Sequence, residues 1–424
     1  MNFIAKLFGG SYDDLWKAVI RPPRDEYEEK DLGPEKFNIR GRNYKRTDFS
    51  IVNNRNMKLQ CSMWEPYDEE REYDRLPCVV YLHGNSSSRA EAAPEAKLLL
   101  PMNITLFAFD FAGCGKSEGE YISLGWYERD DVEVVIEHLR KSNKVSTIGL
   151  WGRSMGAVTA IMYGDRDPSI AGMVLDSPFS SLKTLVEELV KDKVSLPSFI
   201  VNQALSLVKS TVLKKAKFKL DDIEPIPYAK RCFIPSLFVA AKDDNFVKPH
   251  HSKILHDSYP GDKNLINIEG DHNSVRPRFF KDSAAIFFHN TLQVEFLKEI
   301  SDNYARFNYK VNKKEDEGKI ENSDNDNINL IEVNPQINKI KDENNISSKN
   351  QINLIGDKFN MMDIGLNEEE MFMKIVELSK AEYQKQLNIK KNNENINEQK
   401  EQQDINFNDN DEINKERYEE NDFK

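Results

Sequence analysis

The chain has 424 residues, 39% of them hydrophobic, and a net charge of −12. That length allows one large domain with extra material or two domains. The acidity and the lack of a basic stripe argue against a nucleic-acid binder. Ten of the twelve net negative charges fall after residue 300, where 28 acidic residues face 18 basic ones. This stretch is rich in Asn, Glu and Lys and carries a single proline, Pro335. It is too polar to offset its own chain entropy, so residues 301–424 are expected to form a largely disordered tail. The remaining 300 residues suffice for one well-cored domain.

The N-terminal stretch MNFIAKLFGG places Phe3, Ile4, Leu7 and Phe8 at helical spacing. Such a segment docks on the domain's own core or touches a membrane or partner. It has no secretory apolar core, and no apolar run approaches 18 residues. Four scattered cysteines (Cys61, Cys78, Cys114 and Cys232) without C-x-x-C spacing read as reduced thiols, which points to the cytoplasm or nucleus. A cytoplasmic protein, peripheral to a membrane if the N-terminal stretch binds one, is the expectation.

From residue 45 the pattern changes. RTDFSIVN and KLQCSMWEP read as an amphipathic antiparallel hairpin. Short β-branched or aromatic runs then recur, apolar on both faces: CVVYLHG, ITLFAFD, VSTIGLWG, IAGMVLDS, SLFVAAKDD and NLINIEGDH. Central strands of a parallel sheet read this way. Helical patterns lie between them at Trp126–Arg140, Met155–Tyr163 and Pro249–Tyr259. The alternation predicts an α/β domain over 45–300, its sheet covered on both faces. Residues 1–44 form an extension before it. Between about residues 180 and 232 the chain leaves the sheet for two helical stretches. They are either an inserted cap over the carboxyl edge or an ordinary pair of surface helices.

Function in such a sheet sits at the carboxyl ends of the strands. There the chain carries G-R-S-M-G, with Ser154 between Gly152 and Gly156. The glycines let a strand and a helix meet closely around a strained serine, the arrangement that exposes a nucleophile. Serine needs a base, and the base needs an acid. His138 and His289 lie in helix patterns, and His250, His251 and His256 follow a turn on another helix. Only His272 stands in a loop after a C-terminal strand, in NIEGDHN. For the acid, FVAAKDD offers Asp243 and Asp244. The spacing to Val247 favours Asp244, and Asp176 is a weaker rival that could instead bond loop backbone. A tetrahedral intermediate needs two amide donors, and Met155 and Asn85 are the candidates.

The motifs YLHGN, FDFAGCGKSEGE, GLWGRSMGAVTA, LDSPFSS, FVAAKDD and EGDHN stand in the order and spacing of α/β-hydrolases. The stretch from about 45 to 290 resembles the serine aminopeptidase-like branch, which is similar to monoglyceride lipases and depalmitoylating hydrolases. The resemblance implies the α/β-hydrolase fold, a mostly parallel eight-stranded sheet flanked by helices with a small helical cap. It also implies an acyl-enzyme mechanism through Ser154, Asp244 and His272, with no cofactor and no metal. Ala241 departs from the pattern, standing where a glycine is usual three residues before the acid. The function implied is that of a serine hydrolase cleaving an ester, thioester or amide acyl group, on a small acyl compound or an acylated protein or peptide. In the tail, NEEEMFMKIVELSKAEYQ predicts a helix over about 367–384 and resembles a ubiquitin-interacting motif spanning Glu368 to Glu382. There Ile375 takes the place usually held by alanine. A catalytically idle scaffold acting as a ubiquitin-binding adaptor is the alternative function.

Overall fold

Nine strands make one sheet among the residues that the computed structural model describes, 11–193, 198–294 and 373. In chain order they are β1 (Lys36–Ile39), β2 (Arg42–Val52), β3 (Lys58–Pro66), β4 (Leu76–Leu82), β5 (Thr105–Phe109), β6 (Val145–Arg153), β7 (Gly172–Asp176), β8 (Ser236–Ala241) and β9 (Lys263–Ile268). Their order across the sheet is β1-β2-β3-β5-β4-β6-β7-β8-β9. The pairs from β1 to β5 through β2 and β3 are antiparallel, and those from β5 to β9 are parallel.

Every residue of β4, β5, β7 and β8 is buried. Strand alternation divides these residues between two cores. Val80 and Leu82 join one face, Val79 and Tyr81 the other. Helices α1 (Tyr12–Ile20), α3 (Glu128–Lys141) and α4 (Met155–Gly164) cover the first face. Helices α2 (Ala93–Leu99) and α9 (Arg278–Thr291) cover the second. The sheet needs helices on both sides because a parallel strand, buried twice, exposes apolar side chains in both directions.

The strand count exceeds the eight implied by the resemblance. The added strand, β1, lies within the stretch read from sequence as an extension. Arg40 and Gly41 both take positive φ, 53° and 87°, and Ile39 pairs with Arg42. Two consecutive left-handed residues make the tight hairpin whose twist matches the strands. An Arg-Gly pair is a weak signal for that turn, and four residues are too few to show a period. Asp25 and Tyr27 of the same extension are also held on the domain. Tyr27 is buried and its hydroxyl donates to Asp110 at 2.8 Å, while Ser88 Oγ donates to Asp25 at 2.6 Å.

Between β7 and β8 run α5 (Leu182–Lys193), α6 (Ser198–Ala216) and the short α7 (Pro225–Ala229). Leu185 and Leu189 of α5 and Val208 and Val212 of α6 are buried in the first core. The Tyr12 hydroxyl of α1 donates to Leu207 O at 2.9 Å and meets Thr211 Oγ1 at 2.6 Å, tying α1 to α6. Helix α8 (Pro249–Ser258) connects β8 to β9. No helix among the described residues is long and apolar enough to cross a membrane. The N-terminal stretch 1–10 and the tail helix expected over 367–384, apart from Met373, lie outside the described residues.

Candidate active site

The chain crosses from β4 to β5 on one side and then to β6 on the other. The crevice at the carboxyl ends of β4 and β6 is therefore a topological switch point, where ligands bind in open α/β sheets. Ser154 sits there, between the last residue of β6 and the first of α4. Its φ of 51° and ψ of −114° are strained for a residue with a Cβ. The Ser154 N–H donates to Asp176 O at 2.7 Å, and its carbonyl accepts from Val158 N–H at 3.0 Å. The flanking glycines are required by space. A Cβ on Gly152 would strike the backbone of Gly156, and one on Gly156 would strike the Leu82 carbonyl.

Three side chains from three separate loops meet at this turn. His272 Nε2 lies 3.0 Å from Ser154 Oγ, and His272 Nδ1 lies 2.6 Å from Asp244 Oδ2. The Asp244 side chain is fully buried, and that of His272 is 13% exposed. The other Asp244 oxygen, Oδ1, accepts the amides of Phe246 at 2.9 Å and Val247 at 2.7 Å. With both oxygens accepting, the imidazole proton sits on Nδ1, which leaves the Nε2 lone pair facing the serine. Asp243 points elsewhere: it is exposed, and its Oδ2 accepts the Gly270 amide at 3.3 Å. Ala241, buried at the end of β8, accepts the Asp244 amide at 3.3 Å, closing the turn without a glycine.

The loop after β4 runs beside Ser154. A Cβ built on Gly84 would stand 3.9 Å from that of Ser154. Fully buried His83 organises this loop. The Phe111 amide donates to its Nε2 at 3.1 Å, so the proton is on Nδ1, which donates to Gly84 O at 2.7 Å. In a trans peptide the carbonyl and the next N–H point oppositely. Holding the Gly84 carbonyl therefore aims the Asn85 N–H away from His83. Met155 is the first residue of α4, so its amide has no acceptor within the helix and lies at the positive end of the helix dipole. The sequence reading missed the part played by His83. A histidine directly before the glycine of such a loop was the available signal.

Asp176 is not bonded to the loop backbone in the way the sequence reading allowed. Arg276 Nε and Nη2 donate to its two oxygens at 2.7 and 3.0 Å, and both side chains are buried. The same guanidinium donates to the carbonyls of Asp271 at 3.0 Å and Ser274 at 3.1 Å, bracing the loop that carries His272. Arg276→Met leaves a buried carboxylate without its partner, which costs about 3–5 kcal/mol. Denaturant unfolding should show that loss as a lower midpoint with an unchanged slope.

One group of metal-type ligands occurs among the described residues: Glu188, His250 and His251, with ligand atoms within 4.8 Å of one another. The Ser180 amide donates to His251 Nδ1 at 3.2 Å, so Nε2 carries the proton and offers no lone pair to an ion. Burial, with His250 stacked alongside, pushes the His251 imidazole toward its neutral form.

The family described as "Serine aminopeptidase, S33" matches residues 75–224, a stretch that includes Ser154 and ends before Asp244 and His272. With the sheet order and the strand–serine–helix turn, that match points to one fold. The domain has the α/β-hydrolase fold. The chain is 26% identical over 204 residues to the Bacillus subtilis protein YqkD, covering 47% of this chain and 66% of that one. It is 29% identical over 182 residues to human monoglyceride lipase, covering 40% of this chain and 56% of the lipase. The matches thus span about two thirds or less of these relatives. Among solved structures it is similar to the Pyrococcus furiosus esterase Pf2001, with 24% identity, a TM-score of 0.49, and coverage of 64% of this chain and 97% of the esterase.

Proposed function

We propose that the hydrolase cleaves an ester or thioester acyl group through an acyl-enzyme on Ser154. The observation that carries this reading is the unbroken contact from Ser154 Oγ to His272 Nε2 and from His272 Nδ1 to Asp244 Oδ2. Ser154 Oγ attacks the carbonyl carbon and gives its proton to Nε2. Asp244 holds the ring and stabilises the imidazolium. The amides of Met155 and Asn85 receive the oxyanion. As the intermediate collapses, Nε2 returns the proton to the leaving group. Water then repeats the sequence on the acyl-enzyme, with His272 again the base. No step calls for a cofactor.

The amide chemistry suggested by the family's name requires a group to hold a free amine. Two carboxylates near Ser154 are already engaged. Glu91 is paired with Arg153 at 2.9 Å, and Asp176 with Arg276 at 2.7 Å. The ring of Phe246, a residue 43% exposed, lies 5.1 Å from that of His272, an apolar surface suited to an acyl chain. A panel of p-nitrophenyl esters, acyl thioesters and aminoacyl-coumarins tests the assignment, with Ser154→Ala as control. Ester turnover that vanishes in the variant is expected. Cleavage of the coumarins alone would overturn the choice of acyl class, and ester turnover that survives in Ser154→Ala would overturn the nucleophile.

The domain division belongs to the same proposal: residues 45–300 carry the chemistry, with α5, α6 and α7 as a cap. Truncation after residue 300 should leave kcat and KM for the best ester unchanged, since every side chain in the scheme precedes that point. The four cysteines are buried and free, which fits a reducing compartment such as the cytoplasm.

A further inference from the structure

We infer that Arg153 and Glu91 form a brace that positions the base and the oxyanion loop relative to each other. This inference rests on the hydrolase reading of Ser154 and His272. Arg153 immediately precedes the serine, and its guanidinium reaches two ways. Nη2 donates to the carbonyl of His272 itself at 2.9 Å, and Nη1 donates to Glu91 Oε1 at 2.9 Å. The second Glu91 oxygen accepts the Gly84 amide at 3.1 Å. Tyr81 adds its hydroxyl to Oε1 at 3.3 Å. One continuous run of hydrogen bonds therefore links the backbone of the histidine to the backbone of the oxyanion loop, through the residue next to the nucleophile.

The placement at Gly84 is what gives the pair a role in positioning. That residue is held from both sides, its N–H by Glu91 and its C=O by His83. Both peptide planes around it are thereby fixed, including the one that carries the Asn85 N–H. A hydrogen bond to a charged partner is stronger than one between neutral groups. The pair is also largely withdrawn from water, with side chains 21% and 15% exposed, so screening by solvent is limited. Arg276 adds a second, longer contact to the His272 carbonyl at 3.3 Å but has no bond to the oxyanion loop. Arg153 is the member that joins the two.

The brace predicts a defect in kcat. In Arg153→Met, turnover of the best p-nitrophenyl ester should fall about 10–100-fold with KM within about threefold, the signature of reacting groups displaced by a fraction of an ångström to about 1 Å. Arg153→Lys should recover only part, because a single ammonium does not replace a two-armed guanidinium. Glu91→Ala should lower kcat as well, and Arg153→Met/Glu91→Ala should be little worse than Arg153→Met alone, since either change opens the same link. Melting curves show which variants are folded.

A readout that needs no turnover accompanies these. The low-field proton signal of the imidazole N–H shared with Asp244, identified by its loss in His272→Ala, should be sharp in the unaltered protein and broadened or lost in Arg153→Met and Glu91→Ala. Losses that multiply in the double variant, an unchanged kcat, or a signal equally sharp in Arg153→Met would each overturn the brace. An unaltered protein that neither turns over esters nor reacts with a fluorophosphonate would instead overturn the hydrolase reading. The proton signal would still decide the brace.

Discussion

Ser154→Ala should lower kcat by about 10⁴–10⁶-fold, His272→Ala by a similar factor, and the double variant by little more than either alone. The reason is geometric. The serine hydroxyl is a nucleophile only while its proton has somewhere to go, and Nε2 at 3.0 Å is the acceptor. Removing either partner removes the same event, so the second substitution has almost nothing left to take away. What remains in all three variants is ester bound against the amide donors, which alone gives about 10³–10⁴-fold over water. The measurement is single-turnover and steady-state hydrolysis of one ester by the four proteins. Losses that add as free energies would mean that the two residues do not act as a unit, and would remove the mechanism.

Asp244→Asn should cost about 10⁴-fold in kcat, while Asp243→Asn should stay within about twofold. The surroundings dictate which way the new amide lies. The amides of Phe246 and Val247 donate to the Oδ1 position, so the asparagine oxygen must take it. Its NH2 group then faces His272 Nδ1, where a carboxylate oxygen stood at 2.6 Å. A donor there forces the imidazole proton onto Nε2, and Nε2 can no longer accept from the serine. At position 243 the side chain is exposed and accepts only the Gly270 amide, a bond an asparagine oxygen can also accept. Kinetics on the two variants, each checked for an unchanged melting temperature, separate the neighbours. A damaging Asp243→Asn with a benign Asp244→Asn would reverse the assignment of the acid.

Elements whose cause is local were legible in the sequence. The strand–serine–helix turn is written in five consecutive residues, because the clashes that demand glycine at 152 and 156 arise within one turn and the strand beside it. The buried strands were readable from their apolar runs, and α3, α4 and α8 from their period. Strand β1 was not readable, because four residues carry no period and the turn that makes them a strand depends on Arg40 taking an uncommon backbone angle.

The residue types, their order and the loops that bear them were also available from the sequence alone: a serine at a glycine-flanked turn, aspartates after one strand, a histidine after the next. Which partner each takes was not. Asp243 and Asp244 are neighbours with the same chemistry, and only the folded turn at the end of β8 aims one at His272 and the other at solvent. Asp176 meets Arg276 across 100 residues, and Glu91 meets Arg153 across 62. The tertiary structure decided these pairings because hydrogen bonds and ion pairs act over a few ångströms, whereas a one-dimensional pattern records only periodicity and spacing. The distances between loops come from the sheet, whose strand order places the ends of β4, β6, β7, β8 and β9 in one row although the chain visits the first and the last of them nearly two hundred residues apart.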